Sequence, residues 1–323
     1  VVFSTELAAR SIILMTPLVS IIIPCYNAER WLAETLESAL AQTWTAKEIL
    51  VINDGSTDAS LAVARQYTTR GARVIDQPNR GASAARNYGL RLARGDFIQF
   101  LDADDLLAPN KIELQMHALA GTKADVLASA SWSRFTHDPA QAVFVPQAVA
   151  EARTGVEFLQ RHYETGSMMQ PGAWLAPREL LDRAGPWDES LSLNDDGEYF
   201  ARVMLAARGL VHVEQARCYY RSGVASSLSR RTDPAAFTSL FRSIELTTRH
   251  LLSKDNSPRT RAACADAWMR TAYEVFPSMS FLADAAEAHA RTLGGSRRPM
   301  PGSGRFLWAA HFLGWRMARR IFS

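Results

Sequence analysis

The chain has 323 residues, of which 47% are hydrophobic and 21% charged, an ordinary globular composition with ample material for a core. Its 36 lysines and arginines against 33 acids leave a formal charge of only +3, which argues against a nucleic-acid binder. The three cysteines, Cys25, Cys218 and Cys264, are scattered and odd in number, which excludes a disulfide framework and fits a reducing cytoplasm.

Residues 1–16 read as a leader of unassigned role. The apolar run Ser11–Pro24 is too short to span a bilayer and is interrupted by Pro17, so it predicts a buried strand beginning near Leu18. A helix follows over 28–42, with Trp31, Leu32, Leu36 and Leu40 on one stripe. Strand 48–52, the turn Asn53-Asp-Gly-Ser56, helix 56–67, strand 73–75, helix 82–93 and strand 97–101 complete a βαβ alternation, the pattern of a parallel sheet covered on both faces. Beyond it come helix 110–120, strands 126–132 and 143–146, helix 155–163, strand 172–175, helices 178–184 and 195–207, and strand 210–221. From Pro234 the pattern is helical: 235–252, 258–275, 281–293 and, after a Gly/Pro/Arg linker, 305–322. The expected architecture is an open, mostly parallel α/β sheet over 17–230 with a helical appendage over 231–323.

Ligands of open parallel sheets bind outside the carboxyl ends of the strands. Three polar turns fall there: Pro24-Cys-Tyr-Asn27, Asn53-Asp-Gly-Ser56 and Asp102-Ala-Asp-Asp105. Several carboxylates on one rim suit a hard divalent cation, Mn²⁺ or Mg²⁺, whose remaining ligands come from water or a diphosphate. The bland alternative is an acidic turn that caps a helix starting at Leu106-Leu107. The Gly-rich fingerprint of a dinucleotide-binding dehydrogenase is missing after the first strand, and so is a P-loop.

Five ordered blocks carry a more specific signal: "VSIIIPCYN" (19–27), "VINDGSTD" (51–58), "NRGASAARNYGL" (79–90), "GDFIQFLDADD" (95–105) and "GPWDESLSLNDDGEYFAR" (185–202). Over about residues 17–215 the chain resembles the inverting family 2 glycosyltransferases of GT-A fold. The resemblance implies metal-dependent transfer of a sugar from a nucleotide diphosphate sugar, most often a UDP-sugar, to the hydroxyl of a carbohydrate or lipid-linked acceptor in bacterial-type surface polysaccharide or glycoconjugate synthesis. By position, it implies a nucleotide-sugar-binding set of Pro24, Tyr26, Asn27, Glu29, Asp54, Arg86, Asp102, Ala103 and Asp104. Within it Tyr26 packs on the base, Asp54 bonds the base edge, Asp102 meets the ribose or the metal, and Asp104 is the main metal ligand. Asp196 falls where the family keeps its general base.

Each residue also has a plainer role open to it. Tyr26 could be packing, Ser56 or Asp58 a helix cap, Asp195 and Asp196 favoured first-turn acids, and Glu198 with Arg202 an intrahelical pair. One departure stands out: many relatives have a histidine soon after Tyr-Arg, whereas Tyr220-Arg221 is followed by none, which leaves Ser226, Ser227 and Arg221 as stand-ins. Two competing classes are a sugar-nucleotide nucleotidyltransferase, which would want a Gly-rich basic loop after the first strand, and a catalytically silent nucleotide-sugar-binding protein.

From Ser296 onward there are six arginines and no acid. On a helix over 305–322, Arg316, Arg319 and Arg320 share one arc, and Phe306, Leu307, Leu313, Met317 and Ile321 another. This basic amphipathic pattern suits peripheral contact with the inner face of a membrane, and it suits equally a helix whose apolar arc packs on the preceding helices with its arginines solvated.

Overall fold

The computed structural model describes residues 16–122, 124–223, 230–296, 298 and 302–322. The predicted leader, Thr16 apart, and the stand-ins Ser226 and Ser227 lie outside these residues. In chain order the elements are β1 (Val19–Cys25), α1 (Leu32–Leu40), β2 (Lys47–Asp54), α2 (Ser60–Gln66), β3 (Ala72–Gln77), α3 (Ala82–Leu92), β4 (Phe97–Phe100), β5 (Leu106–Leu107), α4 (Lys111–Leu119) and β6 (Val126–Phe135). Then follow α5 (Gly155–Thr165), β7 (Ala176–Pro177), α6 (Arg178–Ala184), α7 (Asp195–Ala206), β8 (Gly209–Arg221), α8 (Pro234–Lys254), α9 (Pro258–Val275), α10 (Ser280–Thr292), α11 (Gly304–Leu313) and α12 (Trp315–Phe322).

Ile21, Ile22 and Ile23 are all fully buried, and burying each contributes roughly 1.5–3 kcal/mol, which is why this segment is a central strand. Ile21 and Ile23 pack on one side of the sheet and Ile22 on the other. The order is β3-β2-β1-β4-β7, with the first four strands parallel and β7 antiparallel to β4. The chain leaves β1 toward β2 on one side, and β4 docks on the other, so the order reverses between β1 and β4. A crevice opens at the carboxyl ends of two strands where their connections diverge in this way. Gly89 lets α3 come close to the sheet, because a Cβ there would collide with Ile22.

A second sheet, β5-β8-β6, packs beside the first. Leu106-Leu107 is its short edge strand, paired with Tyr219 and Cys218, so Asp104 and Asp105 have no helix to cap. Two expected strands are absent. Residues 142–147 form no strand: Val143 and Val145 point into solvent, and Pro146 lacks a donor. At 172–175 a 3₁₀ turn, Pro171–Ala173, is held by the Gln170 side chain accepting from the Gly172 N–H at 2.7 Å; Leu175 makes only a single antiparallel bridge to Ala128, and pairing with β4 begins at Ala176.

The helices after residue 230 do not stand apart from the sheet. Phe237, Leu240 and Ile244 of α8 and Trp268 of α9 belong to the same buried cluster as Phe100, Trp174 and Tyr199. The terminal helix departs from expectation twice. It breaks at Gly314 (φ +78°) into α11 and α12. It also turns Arg316 and Arg319 toward the preceding helices: Arg316 pairs with Asp284 at 2.6 Å and Glu287 at 3.1 Å, Arg319 lies over Tyr273, and Arg320, still exposed, lies over Phe276. Of the predicted apolar arc only Phe306 is buried; Leu307, Leu313, Met317 and Ile321 stay exposed beside Trp308, Phe312 and Phe322. Among the described residues no helix is long and apolar enough to cross a membrane.

Candidate active site

The carboxyl end of β1 is stapled to that of β2. Asn27, in a left-handed conformation (φ +49°), accepts from the Thr57 N–H at 2.8 Å, and its own N–H donates to Ser56 Oγ at 3.1 Å. Glu29 accepts from the Ala59 N–H at 2.7 Å, while Asp58 accepts from the Glu29 and Ser60 N–H groups just ahead of α2, whose N-cap position is Ala59. These bonds hold the backbone between Pro24 and Glu29 so that the Tyr26 ring is left 52% exposed beside the crevice.

Asp54 ends β2 and is 2% exposed. Its Oδ1 accepts from Gln77 Nε2 at 2.6 Å and the Arg80 N–H at 2.9 Å, and its Oδ2 from the Gly81 N–H at 2.8 Å. The carboxylate thus fixes the entry to α3, with an acceptor position of Oδ2 not taken up by protein among the described residues.

The turn after β4 is built from three directions. The Thr35 hydroxyl donates to the Ala103 and Asp105 carbonyls at 2.9 and 3.0 Å. Arg221 donates from its backbone to Asp105 Oδ1 at 2.8 Å, from Nε to the Asp104 carbonyl at 2.9 Å and from Nη2 to Glu34 at 2.6 Å. Its guanidinium lies between the rings of Trp31 and Phe135. Arg221 is therefore an internal brace whose donors are committed to protein, rather than a replacement for the missing histidine.

Arg86 joins this turn to α7. Its Nη2 donates to Asp102 Oδ1 at 2.7 Å and its Nη1 to Asp195 Oδ2 at 2.9 Å, while the guanidinium stacks over Trp187 at 4.5 Å. Burial opposes the charge on Arg86, but Asp102 and Asp195 outweigh it and raise its pKa. Asn87 next to it reads both backbone ends of Trp187, accepting from its N–H at 2.9 Å and donating to its carbonyl at 3.0 Å. The Gly185–Arg202 segment is thereby locked onto α3.

Asp195 and Asp196 sit in the first turn of α7. Asp195 spends its oxygens on Ser83 Oγ (2.8 Å), Arg86 and the Asp196 N–H (2.9 Å). Asp196 accepts only the following N–H, that of Gly197, at 2.9 Å, so among the described residues its second oxygen takes no protein donor. Burial and then the neighbouring Asp195 push its pKa up to about 7; Arg86 pulls the other way and Asp102 adds to the rise. Glu198 and Arg202 are the intrahelical pair, at 2.7 Å.

The side chains of the turn after β4 offer hard oxygen donors. Asp104 has its carboxyl pushed up to about 6, by burial first and Asp102 second, against a weak opposing pull from Arg221. Asp105 is buried, its Oδ2 has no hydrogen-bond partner among the described residues, and burial and then Asp104 and Asp102 raise its pKa well above the usual carboxylate range. The turn holds more carboxylate oxygens than protein donors, all hard ligands. Among the described residues no three acidic, histidine or cysteine side chains close on one point, so a bound ion would complete its shell with water or phosphate oxygens.

Sequence reasoning missed Ser83, Trp187, Asn87 and Glu34, which support the acids without bearing the site's charge. It also missed Lys111, buried under β4 against Gln99 and the Trp174 carbonyl, with its pKa lowered to about 7 by burial. No spacing rule marks such residues, since their partners are 12 to 187 positions away.

An open sheet with its order reversed beside acid-bearing turns, and a helix with further acids tied to them, defines a GT-A glycosyltransferase architecture. The sequence model described as "Glycosyl transferase family 2" matches residues 20–181, half of the chain, and the chain belongs to that family. The matched stretch carries Asp54, Arg86 and Asp102–Asp105; Asp195 and Asp196 lie beyond it. An uncharacterized glycosyltransferase of Bacillus subtilis, EpsJ, is 32% identical over 214 residues, 64% of this chain and 62% of EpsJ, so the alignment spans about three-fifths of that relative. Among solved structures, Staphylococcus aureus TarS in complex with UDP superposes with a TM-score of 0.61 at 19% identity, covering 89% of this chain and 95% of that one. The mannosyltransferase PcManGT of Pyrobaculum calidifontis, in complex with GDP-Man and Mn²⁺, gives 0.56 at 16% identity, covering 95% and 87%. At these identities the two structures establish the fold.

The raised Asp196 carboxyl has a sign-determined effect on stability. Its folded pKa lies above the ordinary value of 3.8, so folding favours the protonated form, and stability is lost as pH rises from about 4 through about 7. Asp196→Asn keeps an acceptor for the Gly197 N–H and carries no charge. At pH 8 it should melt roughly 2–6 °C above the parent, and the gap should close as pH falls toward 4, read by calorimetry across the pH range.

Proposed function

We propose that the protein is a metal-dependent, inverting glycosyltransferase that moves a sugar from a nucleotide diphosphate sugar to an acceptor hydroxyl. We assign it to surface polysaccharide or glycoconjugate assembly, with a carbohydrate or lipid-linked acceptor. The observation that carries this reading is Arg86, which draws the acid turn after β4 and the acid pair of α7 onto one rim. The solved neighbours support a nucleotide-sugar donor, one in complex with UDP and one with GDP-Man. A UDP-sugar is taken as the donor on the family's habit.

In this mechanism the exposed Tyr26 ring stacks on the base and the open acceptor position of Asp54 Oδ2 takes the base edge. Pro24, Asn27 and Glu29 shape the turn that presents Tyr26. Asp102, held by Arg86, meets the ribose or the ion, and Ala103 keeps the turn narrow. Asp104, assisted by Asp102, would hold Mn²⁺ or Mg²⁺, which when bound offsets the negative charge of a diphosphate. Asp196 uses its second oxygen to take the proton from the acceptor hydroxyl as the new bond forms. The acceptor attacks the anomeric carbon from the face opposite the diphosphate, through an oxocarbenium-like transition state. The C–O bond to the diphosphate breaks, the configuration inverts, and no covalent enzyme intermediate forms. A base with a pKa near 7 is half ionised at neutral pH, close to the optimum for taking a proton there.

The outer face of α11 and α12 is read as an interfacial membrane contact, which places a cytoplasmic enzyme at the inner face of the bilayer. Trp308, Phe312, Leu313, Ile321 and Phe322 present the apolar surface, and exposed Arg305 supplies positive charge beside it. The apolar side, rather than the arginine arc, would do the inserting.

Asp196→Asn should reduce sugar transfer by about 10²–10⁴-fold while nucleotide binding stays within twofold; turnover near the parental level would remove Asp196 from the role. In the parent, kcat/KM should fall about tenfold per pH unit below about 7. Asp104→Ala should abolish the Mn²⁺-dependent part of UDP binding in calorimetry; equal UDP affinity in excess chelator would end the metal assignment. The double variant Trp308→Ser/Phe312→Ser should lose sedimentation with liposomes containing anionic lipid, and unchanged sedimentation would refute contact through this face.

A further inference from the structure

The loop that leads into α7 is gripped by one face of α8. Ser239 Oγ accepts from the Ser192 and Leu193 N–H groups at 2.8 and 3.1 Å and donates to the Leu193 carbonyl at 3.0 Å. One turn on, Ser243 Oγ donates to the Asn194 carbonyl at 2.8 Å and accepts from Asn194 Nδ2 at 2.8 Å. Both serines are buried. Asn194 has a left-handed backbone (φ +62°), a conformation that asparagine tolerates but that still must be held.

Asn194 occupies the N-cap of α7, where an asparagine ordinarily turns its side chain inward to accept from the helix's free N–H groups. Here its side chain makes no such bond: the backbone is left-handed rather than extended, and Ser243 holds Nδ2 and so fixes how the amide, its capping oxygen included, is turned. The free N–H groups fall instead to the two acids: Asp195 Oδ1 accepts from Asp196, and Asp196 Oδ1 accepts from Gly197. Gly197 is required by this packing, since a Cβ on it would collide with the Asn194 side-chain oxygen. Lower on the same two helices, His250 of α8 approaches Glu198 of α7 at 3.6 Å, so the contact continues past the cap.

We infer that Ser239 and Ser243 are positioning residues for Asp196: by diverting Asn194 from capping α7, they leave that helix's first N–H groups to orient both carboxylates, so one Asp196 oxygen is tied and the other is free to work. The helical region after residue 230 thereby takes part in catalysis through the geometry of a residue it does not contain. The inference rests on the reading of Asp196 as general base.

Two measurements on the full chain test it. The first needs no substrate. The gain in melting temperature from Asp196→Asn at pH 8 is measured in the parent and in Ser239→Ala/Ser243→Ala. If the serines hold Asp196 in its enclosed place, the gain should fall by at least half in the double variant; an equal gain in both would overturn the inference. The second follows UDP release from UDP-GlcNAc with Mn²⁺, water acting as acceptor. Ser239→Ala/Ser243→Ala should lower kcat at least tenfold, with KM and the calorimetric Kd for UDP within twofold, as expected for a misplaced base rather than a damaged donor site. Asn194→Gly, which permits the backbone angle and has no amide to cap with, should recover most of the kcat lost in Ser243→Ala when the two are combined; no recovery would overturn the diversion of Asn194. Ser253→Ala, on the same helix but bonded only to the His250 carbonyl, should match the parent.

Asp196→Asn is run alongside. If it is inactive while the serine variants stay within twofold of the parent, the inference is overturned and the base reading stands. If it still releases UDP, the base reading fails, and the thermal comparison alone decides whether the serines position Asp196.

Discussion

A single buried guanidinium holds the rim together. Arg86 touches Asp102 on one side and Asp195 on the other, and it lies flat on Trp187. Two carboxylates about 4 Å apart repel by roughly 4 kcal/mol at the effective dielectric of a protein surface. Acids from the end of β4 and the start of α7 can therefore share a crevice only with a positive charge between them. A lysine would not serve equally, because a planar fork can bond two carboxylates at once while its face packs on an indole.

Around this centre, aspartates of identical chemistry are set to different tasks by what surrounds them. Asp54 receives three protein donors and organises a loop. Asp195 is consumed by Arg86, Ser83 and a backbone N–H. Asp104 and Asp196 are half-buried, and partial desolvation together with the neighbouring carboxylates Asp102 and Asp195 raises their carboxyls to about 6 and about 7. A carboxylate left short of partners in a crevice has spare capacity for a cation or a proton. The division between scaffold and chemistry runs along the count of hydrogen bonds rather than along residue type.

The sheet and the later helices contribute unequally to this arrangement. Parallel strands with both faces buried fix where β1, β2 and β4 end, and so fix the register of the turns that follow them. The α7 acids have no strand to fix them. They follow a long loop, and their position depends on Asn87 gripping Trp187 from one side and on α8 gripping residues 192–194 from the other. The shared core between α8, α9 and the sheet makes that second grip rigid.

The βαβ alternation, the strand-end turns and the five motif blocks were legible in the sequence because each depends on local periodicity: apolar runs for buried strands, a 3.6-residue stripe for helices, polar residues where the chain reverses. The same periodicity failed where distant partners decide. Val143 and Val145 had the pattern of a strand but form no ladder, the Val143 carbonyl taking only the Ser133 hydroxyl of edge strand β6, and Leu106-Leu107 became a strand by pairing with β8. The terminal arginines formed one arc on a helical wheel, yet acids and rings of α9 and α10 drew Arg316 and Arg319 of that arc inward and left the apolar side facing out. The sequence by itself determined which acids stand at the ends of which strands. Only the tertiary structure decided which of those acids are neutralised, which are starved of donors, and that serines of α8 reach the helix of Asp196, because hydrogen bonds and charge pairs form between neighbours in space and leave no periodic trace along the chain.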